Sequence, residues 1–289
     1  MPENPSIPQR IVIAAHPEMP EAVAEAAAIA AYFAEHGLAA VHGTLEDAAL
    51  RKQIKNGKFD LVLAIGGDGT MLRAAGLCAP YNLPILGVNL GRLGFLIQVR
   101  REEWRTALEA LLKGEFWIES RMMIRAEHTR AGESLGSWHA LNEAAVCRGP
   151  TVHPVQVSAS LDGRLLTTYV VDGLIAATPT GSTAYALAAG GPILPPELRN
   201  IVLVPIAPHL SVDRAVVLSE GTSVSIALRS GDAVLSVDGQ TPIALAENDV
   251  VDVHAGDYAA KFVRFGDPGY FYRNLTAHMN QNPSIGMPR

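Results

Sequence analysis

Near residue 115 the chain changes its hydrophobic period, and that change restricts the folds open to it. Before it, apolar runs at 11–15, 38–41, 61–65 and 85–89 read as buried strands. Between them lie helical stretches. Residues 21–36 are alanine-rich, carry Val23, Ala27, Ala30 and Phe33 at helical spacing, and stop at Gly37. Further helices are expected near 70–79 and 102–113, where Trp104, Leu108, Leu111 and Leu112 recur. Alternating βα units predict a Rossmann-like α/β domain with a mainly parallel sheet. After 115, short β-type runs dominate: 122–127, 137–147, 155–161, 165–175, 216–218, 223–228, 233–237 and 250–254. Asp162-Gly163, Ser230-Gly231 and Asp238-Gly239 punctuate them, which predicts an all-β, sandwich-like domain. The expected organisation is an α/β domain at 1–115, a β-rich domain at 116–265, and a segment at 266–289 that returns to the first domain.

Charge narrows the ligand classes. The chain of 289 residues has a net charge of −6, so no broad basic field invites nucleic acid or an anionic membrane. A polyanionic ligand would have to be held locally. Cys78 and Cys147 form no metal-ligand or CxxC spacing and read as buried free thiols. The opening MPENPSIPQR has no apolar signal core, and no apolar run approaches the roughly 20 residues that span a bilayer. A cytoplasmic protein is expected, with no membrane and no nucleic-acid partner.

Gly66-Gly67-Asp68-Gly69-Thr70 follows the run 61–65 and precedes Met71-Leu72-Arg73, in the order strand, tight turn, helix. Glycines permit close backbone approach, and N–H groups at a helix start suit phosphate. Asp68 is an anion in that cradle, which points to a general base or metal ligand in phosphoryl transfer. The same pentapeptide also fits a βα turn chosen for its dihedrals.

Four other segments carry polar chemistry. Residues 87–96, GVNLGRLGFL, form a glycine loop after a strand, without GxGxxG spacing, and suit either binding or structure. Asn142-Glu143 interrupts an apolar run; an amide beside a carboxylate suits a base edge or sugar hydroxyls, or a solvated strand end. Arg148 and His153 follow closely and either reach the same pocket or lie on the surface. Residues 172–185, DGLIAATPTGSTAY, run from a strand into a small-residue helix capped by Ser182 or Thr183. Hydroxyls, helix N–H groups and an aromatic ring converge there, as a ligand with phosphates and a flat ring requires. Val237-Asp238-Gly239-Gln240 is a hairpin signal. The P-loop, HExxH and GxSxG signatures are absent.

Taken in order, GGDGTMLRAA (66–75), PILGVNLGRLGFL (84–96), LNEAAV (141–146), DGLIAATPTGSTAYALAAGGPIL (172–194), PIAPH (205–209) and VDGQ (237–240) resemble the NAD kinase family. GGDG alone is shared with phosphofructokinases and with diacylglycerol and sphingosine kinases; its combination with NE and TPTGSTAY is specific. The resemblance implies an α/β domain, a β-rich domain and an active site between them. It implies transfer of the ATP γ-phosphoryl group to the 2′-hydroxyl of the adenosine ribose of NAD, with a divalent metal ion, usually Mg²⁺. It makes Asp68 the proton acceptor, with Gly67, Gly69 and Arg73 beside it holding phosphates. Asn142 and Glu143 match the pair that grips NAD. Asp172, Thr180 and the stretch Thr183, Ala184, Tyr185, Ala186, Leu187 and Ala188 match a second NAD-contacting segment, and Gln240 a further contact. His153 falls where some members carry a basic side chain. Val170 falls where some carry arginine, so recognition by charge is lost at that position. The family's PHSLS is replaced by His209-Leu210-Ser211-Val212-Asp213. A homodimer or homotetramer is the usual assembly, and ATP or polyphosphate the donor. The rival readings are a lipid kinase and an NAD(P)-binding sensor without catalysis.

Overall fold

The computed structural model describes residues 6–91, 94–151, 153–209, 212–269, 271–273 and 275. The tail at 276–289, Arg92 and Leu93 of the glycine loop, and Leu210 and Ser211 after PIAPH lie outside the described residues. The chain divides into two units, Met1–Ser120 with Ala260–Arg289, and Arg121–Ala259.

The first unit contains β1 (Ile11–Ala15), α1 (Pro20–Glu35), β2 (Ala40–Thr44), α2 (Ala48–Lys55), β3 (Leu61–Gly66), α3 (Asp68–Cys78), β4 (Ile85–Asn89), β5 (Val99–Arg100) and α4 (Trp104–Leu112). Every residue of β1, β3 and β4 is buried, as in a sheet covered on both faces. The strands run parallel in the order β2-β1-β3-β4, with β5 beside β4. Helix α1 begins at Pro20, whose missing N–H costs nothing there, and buries Ala22, Ala26, Ile29 and Phe33 on one stripe. Trp104, Leu108 and Leu111 of α4 join the same core. Helix α2 was absent from the expectation. Asp47 caps it by accepting from the Ala49 and Leu50 N–H groups, and Leu50 and Ile54 form its buried side. The second strand lies at 40–44, later than the expected 38–41, because Leu38 is still tied to the end of α1 through Phe33.

The chain passes from β1 to one side of the sheet and returns past it to β3, so the strand order reverses between these two strands. Ligands of open α/β sheets bind outside the carboxyl ends at such a reversal. Gly66–Thr70 emerges there, at the end of β3.

The second unit is built from β6 (Trp117–Arg130), β7 (Glu133–Ala140), β8 (Glu143–Arg148), β9 (Val155–Leu161), β10 (Arg164–Val171), β11 (Gly173–Ala177), α5 (Tyr185–Ala188), β12 (Asn200–Ile206), β13 (Val216–Ser219), β14 (Val224–Ser230), β15 (Ala233–Val237), β16 (Ile243–Leu245) and β17 (Val250–Arg264). One antiparallel sheet has the order β13-β12-β11-β8-β15-β16. The other includes β10-β9-β14-β17, with β6 and β7. A core of Met122, Ile124, Tyr169, Val171, Leu174, Leu203, Ile226, Leu235 and Val253 lies between them, so the unit is a sandwich. β17 carries on into the first unit, where Phe262 pairs in parallel with Ile85. Among the described residues no helix is long and apolar enough to cross a membrane.

Two expected strands prove to be two strands each. The run 137–147 breaks into β7 and β8, and the run 165–175 into β10 and β11; each break passes from one sheet to the other. Apolar residues flank both breaks because both sheets face one core, and Asn142 and Asp172 stand at the crossings themselves. β12 and β16 were not anticipated.

Candidate active site

The candidate residues fall into two groups, one in each unit. In the first, β3 delivers its chain end to Gly67, whose carbonyl accepts the first helical N–H groups, from Thr70 and Met71. The three glycines of the turn differ. At Gly66 a Cβ would stand 2.2 Å from the Thr70 hydroxyl oxygen, so packing demands glycine. At Gly67 and Gly69 a Cβ would meet nothing within 4 Å among the described residues. Gly67 has φ −112° and ψ −170°, which any residue adopts, and Gly69 stands in the first turn of α3. Folding does not require glycine at either position.

Between them, Asp68 faces the glycine loop. Its Oδ2 accepts the Phe95 N–H at 2.9 Å and its Oδ1 the Leu96 N–H at 3.3 Å. A Cβ on Gly94 would stand 2.1 Å from Oδ2, so that glycine exists for the carboxylate. The loop is braced from behind. Buried Arg264 donates to the Leu96 carbonyl at 2.9 Å and to Glu119 at 2.7 Å. At the loop's other end the Asn89 side chain bonds both the N–H and the carbonyl of Gly91. Arg73 is exposed, one turn along α3 from Gly69. Arg264, Glu119 and Asn89 were not anticipated as parts of the site. A cleft of about 550 Å³ lined by Phe59, Tyr81, Leu83, Phe116 and Lys261 opens at the opposite, amino-terminal ends of β3 and β4 and includes none of the candidate residues.

In the second unit the candidates gather at the two sheet crossings. Asn142 and Glu143 follow the break between β7 and β8, and Asp172 occupies the break between β10 and β11. Asn142-Glu143 therefore starts a strand rather than interrupting one. The ladder cannot run through because the Asp238 carboxylate takes the N–H groups of Leu141 (2.8 Å), Asn142 (2.8 Å) and Glu143 (3.1 Å). The other side of the crossing is fixed by Thr178. Its N–H donates to the Asn142 carbonyl at 2.8 Å, and its hydroxyl donates to the Leu141 carbonyl at 2.5 Å while accepting the Gly181 N–H. A Cβ on Gly181 would stand 2.1 Å from the Asn142 carbonyl oxygen.

Residues 181–188 form a short 3₁₀ turn and then α5, and neither Ser182 nor Thr183 caps a helix. Their hydroxyls turn back instead, Ser182 to the Pro179 carbonyl and Thr183 to that of Thr180, and Ser182 also accepts the Leu194 N–H. Ala184 holds the cap position of α5. Thr180 is buried, while Tyr185 is 44 % exposed. The Tyr185 phenol lies beside the Cys147 thiol, and the Tyr185 backbone lies beside the Glu143 carboxyl. Burial, and then the neighbouring Asp238 charge, push the Glu143 carboxyl up to about 8. One of its oxygens, Oε2, is buried without a partner among the described residues. Burial therefore favours the protonated form of Glu143.

The structure brings together Asn142, Glu143, Asp172, Thr180, Thr183, Ala184 and Tyr185. Asp172 forms an ion pair with Arg148 at 3.2 Å and lies near Cys147 and Tyr185. Ala186 packs its methyl into the core with Ala145 and Ile175, leaving only its backbone for a ligand. Leu187 and Ala188 complete α5, and Gln240 is exposed just past Asp238. His153 is exposed in the loop before β9, and Val170 sits in β10 opposite Gln156. No side-chain hydrogen bond or ion pair joins either to the group among the described residues.

A resident divalent ion does not fit this donor set. Among the described residues no three His, Cys, Asp or Glu side chains converge, and the Asp68 oxygens already accept two N–H groups.

Comparison with known proteins gives a single answer. Residues 12–116 match the family model of the ATP-NAD kinase N-terminal domain, and residues 141–265 that of the ATP-NAD kinase C-terminal domain. The NAD kinase of Chloroflexus aggregans is 45% identical over 224 residues, covering 77% of this chain and 81% of that protein. That of Syntrophotalea carbinolica is 41% identical over 241 residues, covering 83% and 84%. The structure of an NAD kinase from Archaeoglobus fulgidus in complex with ATP superposes with a TM-score of 0.75 at 26% identity, covering 96% of this chain and 100% of the other. Yeast NADH kinase complexed with NADH shares the fold, with a TM-score of 0.81 at 24% identity over 98% and 91% of the two chains. The two matched models span most of the sequence, and the chain belongs to the ATP-NAD kinase family.

Proposed function

We propose that this chain is an NAD kinase that moves the γ-phosphoryl group of ATP to the 2′-hydroxyl of the adenosine ribose of NAD, yielding NADP and ADP. The observation that carries the reading is the open space at Gly67 and Gly69 on either side of Asp68, where folding does not call for glycine. Backbone at a helix start, stripped of side chains, is what a phosphate chain needs for close approach. Exposed Arg73 adds positive charge one turn away.

Asp68 is the proton acceptor in this reading. A carboxylate has about four acceptor positions, so a ribose hydroxyl can join the two N–H donors there. Asp68 then serves first to hold the hydroxyl in line, and takes its proton late, as the new O–P bond forms and the bond to ADP breaks. Such help is worth about 10²–10⁴-fold. Alignment and N–H stabilisation of the transferring group supply most of the remainder.

In the second unit Asn142, protonated Glu143 and the 180–188 segment hold NAD, with Asp172 and Gln240 as further contacts. Mg²⁺ enters with ATP, held by phosphates and water, in keeping with the lack of a cluster of metal-ligating side chains among the described residues. Two unpaired thiols suit a reducing cytoplasm, and a homodimer or homotetramer completes the proposal.

The test is an assay of the purified protein with NAD and, in parallel, ATP, other nucleoside triphosphates and polyphosphate, with diacylglycerol as a rival acceptor. NADP formation is expected. Phosphorylation of the lipid alone, or tight NAD binding without NADP, would overturn the reading.

A further inference from the structure

The turn after β15 contributes more to the second unit than a reversal of the chain. Asp238 has φ +47° and Gly239 φ +66°, the pair of positive values that an Asp-Gly hairpin supplies. A hairpin requires nothing further of the aspartate. Yet its carboxylate reaches across to accept three successive N–H groups at the crossing between the sheets, at 2.8, 2.8 and 3.1 Å. Its own N–H donates back to the Glu143 carbonyl at 3.0 Å. One side chain thus fixes the backbone of both Asn142 and Glu143, while Thr178 and Gly181 press on the Asn142 carbonyl from the other side.

We propose that Asp238 is a positioning residue for NAD recognition, holding Asn142 and Glu143 in the orientation in which the dinucleotide meets them. The inference rests on reading that pair as the NAD half-site. Asp238 acts through a second route as well, its charge. The groups facing the Glu143 carboxyl are Asp238 from the β15 turn, Tyr185 from α5 and Cys147 from its own strand, with Asp172 close to the last two. Of these, Asp238 raises Glu143, and only the Tyr185 N–H lowers it. Burial raises Asp238 too, with three N–H donors pulling it back, whereas Glu143 has one such donor to set against its burial and the Asp238 charge. A neutral Glu143 spares an anionic pyrophosphate a second carboxylate charge.

The experiment uses the full chain with Asp238→Asn, Asp238→Glu, Glu143→Gln and the Asp238→Asn/Glu143→Gln double variant. NADP formation is followed with NAD varied at saturating ATP, with ATP varied at saturating NAD, and across the pH range around 8. Asn keeps the size and the turn but turns an NH₂ toward an N–H donor. The expected result for Asp238→Asn is a rise of about tenfold or more in KM for NAD with KM for ATP nearly unchanged. The basic limb of kcat/KM for NAD should move to lower pH in Asp238→Asn and stay near its wild-type position in Asp238→Glu. It should vanish in both variants carrying Glu143→Gln. An active wild type with an unchanged KM for NAD and an unmoved limb in Asp238→Asn would overturn the proposal alone. So would a loss in kcat alone, with both KM values and the limb unchanged, because lower folded content would explain it. A wild type that makes no NADP would remove the NAD reading and this inference together.

Discussion

The two groups of candidate residues, one in each unit, are prepared in opposite ways. Around Asp68, a Cβ on either of two glycines would meet nothing within 4 Å among the described residues. Around Asn142-Glu143 there is no such room: Asp238 takes three N–H groups, Thr178 grips two carbonyls, and Gly181 is crowded by a third contact. The first arrangement suits a group that must be approached closely by backbone, such as a phosphate chain. The second suits recognition, where side chains must be held at fixed angles. Substitutions should therefore separate folding from turnover in the first unit and couple them in the second.

The sharpest break is expected at Asp68. Asp68→Asn should keep the fold and NAD affinity and lose about 10²–10⁴-fold in turnover, read from steady-state kinetics beside an NAD titration. Near-normal turnover would remove Asp68 as the proton acceptor.

Gly181→Ala should act on both properties. A methyl group 2.1 Å from the Asn142 carbonyl oxygen must displace the crossing. A loss of about 1–3 kcal/mol in denaturant unfolding is expected, together with a raised KM for NAD. A stable variant with normal KM would show that the crossing has slack.

A smaller effect is expected from pH. The Glu143 carboxyl is raised from 4.5 to about 8, so the folded state keeps a proton that the unfolded state releases between those values. Its contribution to stability is undiminished below about pH 4.5 and is lost as pH rises to about 8. Glu143→Gln should therefore gain melting temperature relative to wild type at pH 9 more than at pH 5. An equal gap at both values would place the Glu143 proton elsewhere.

Much of this was legible in the chain because of burial. β1, β3 and β4 are covered on both faces and read as unbroken apolar runs. Helix α2 went unseen because it is short and polar, although Asp47 with Leu50 and Ile54 was its signal. The sheet crossings were hidden for a different reason. Residues on both sides of each break face the same core, so Asn142-Glu143 and Asp172 read as interruptions within one run rather than as crossings. The group that makes the first crossing, Asp238, is 97 residues from Leu141 in sequence and reads locally as a plain hairpin. The brace behind Asp68 was equally remote, with Arg264 and Leu96 separated by 168 residues. The motif stretches could be found from the sequence, but the long-range contacts that tie them together could not.

The most direct measurement is made on Gly69→Ala, with melting temperature and NADP formation recorded on one preparation. A Cβ there meets nothing within 4 Å among the described residues, and alanine is the better helix former. If the space is kept for a phosphate chain, stability should rise by about 0.5–1 kcal/mol while turnover falls by about 10²-fold. A variant both more stable and fully active would show that the space is not used by substrate, and would contradict the account.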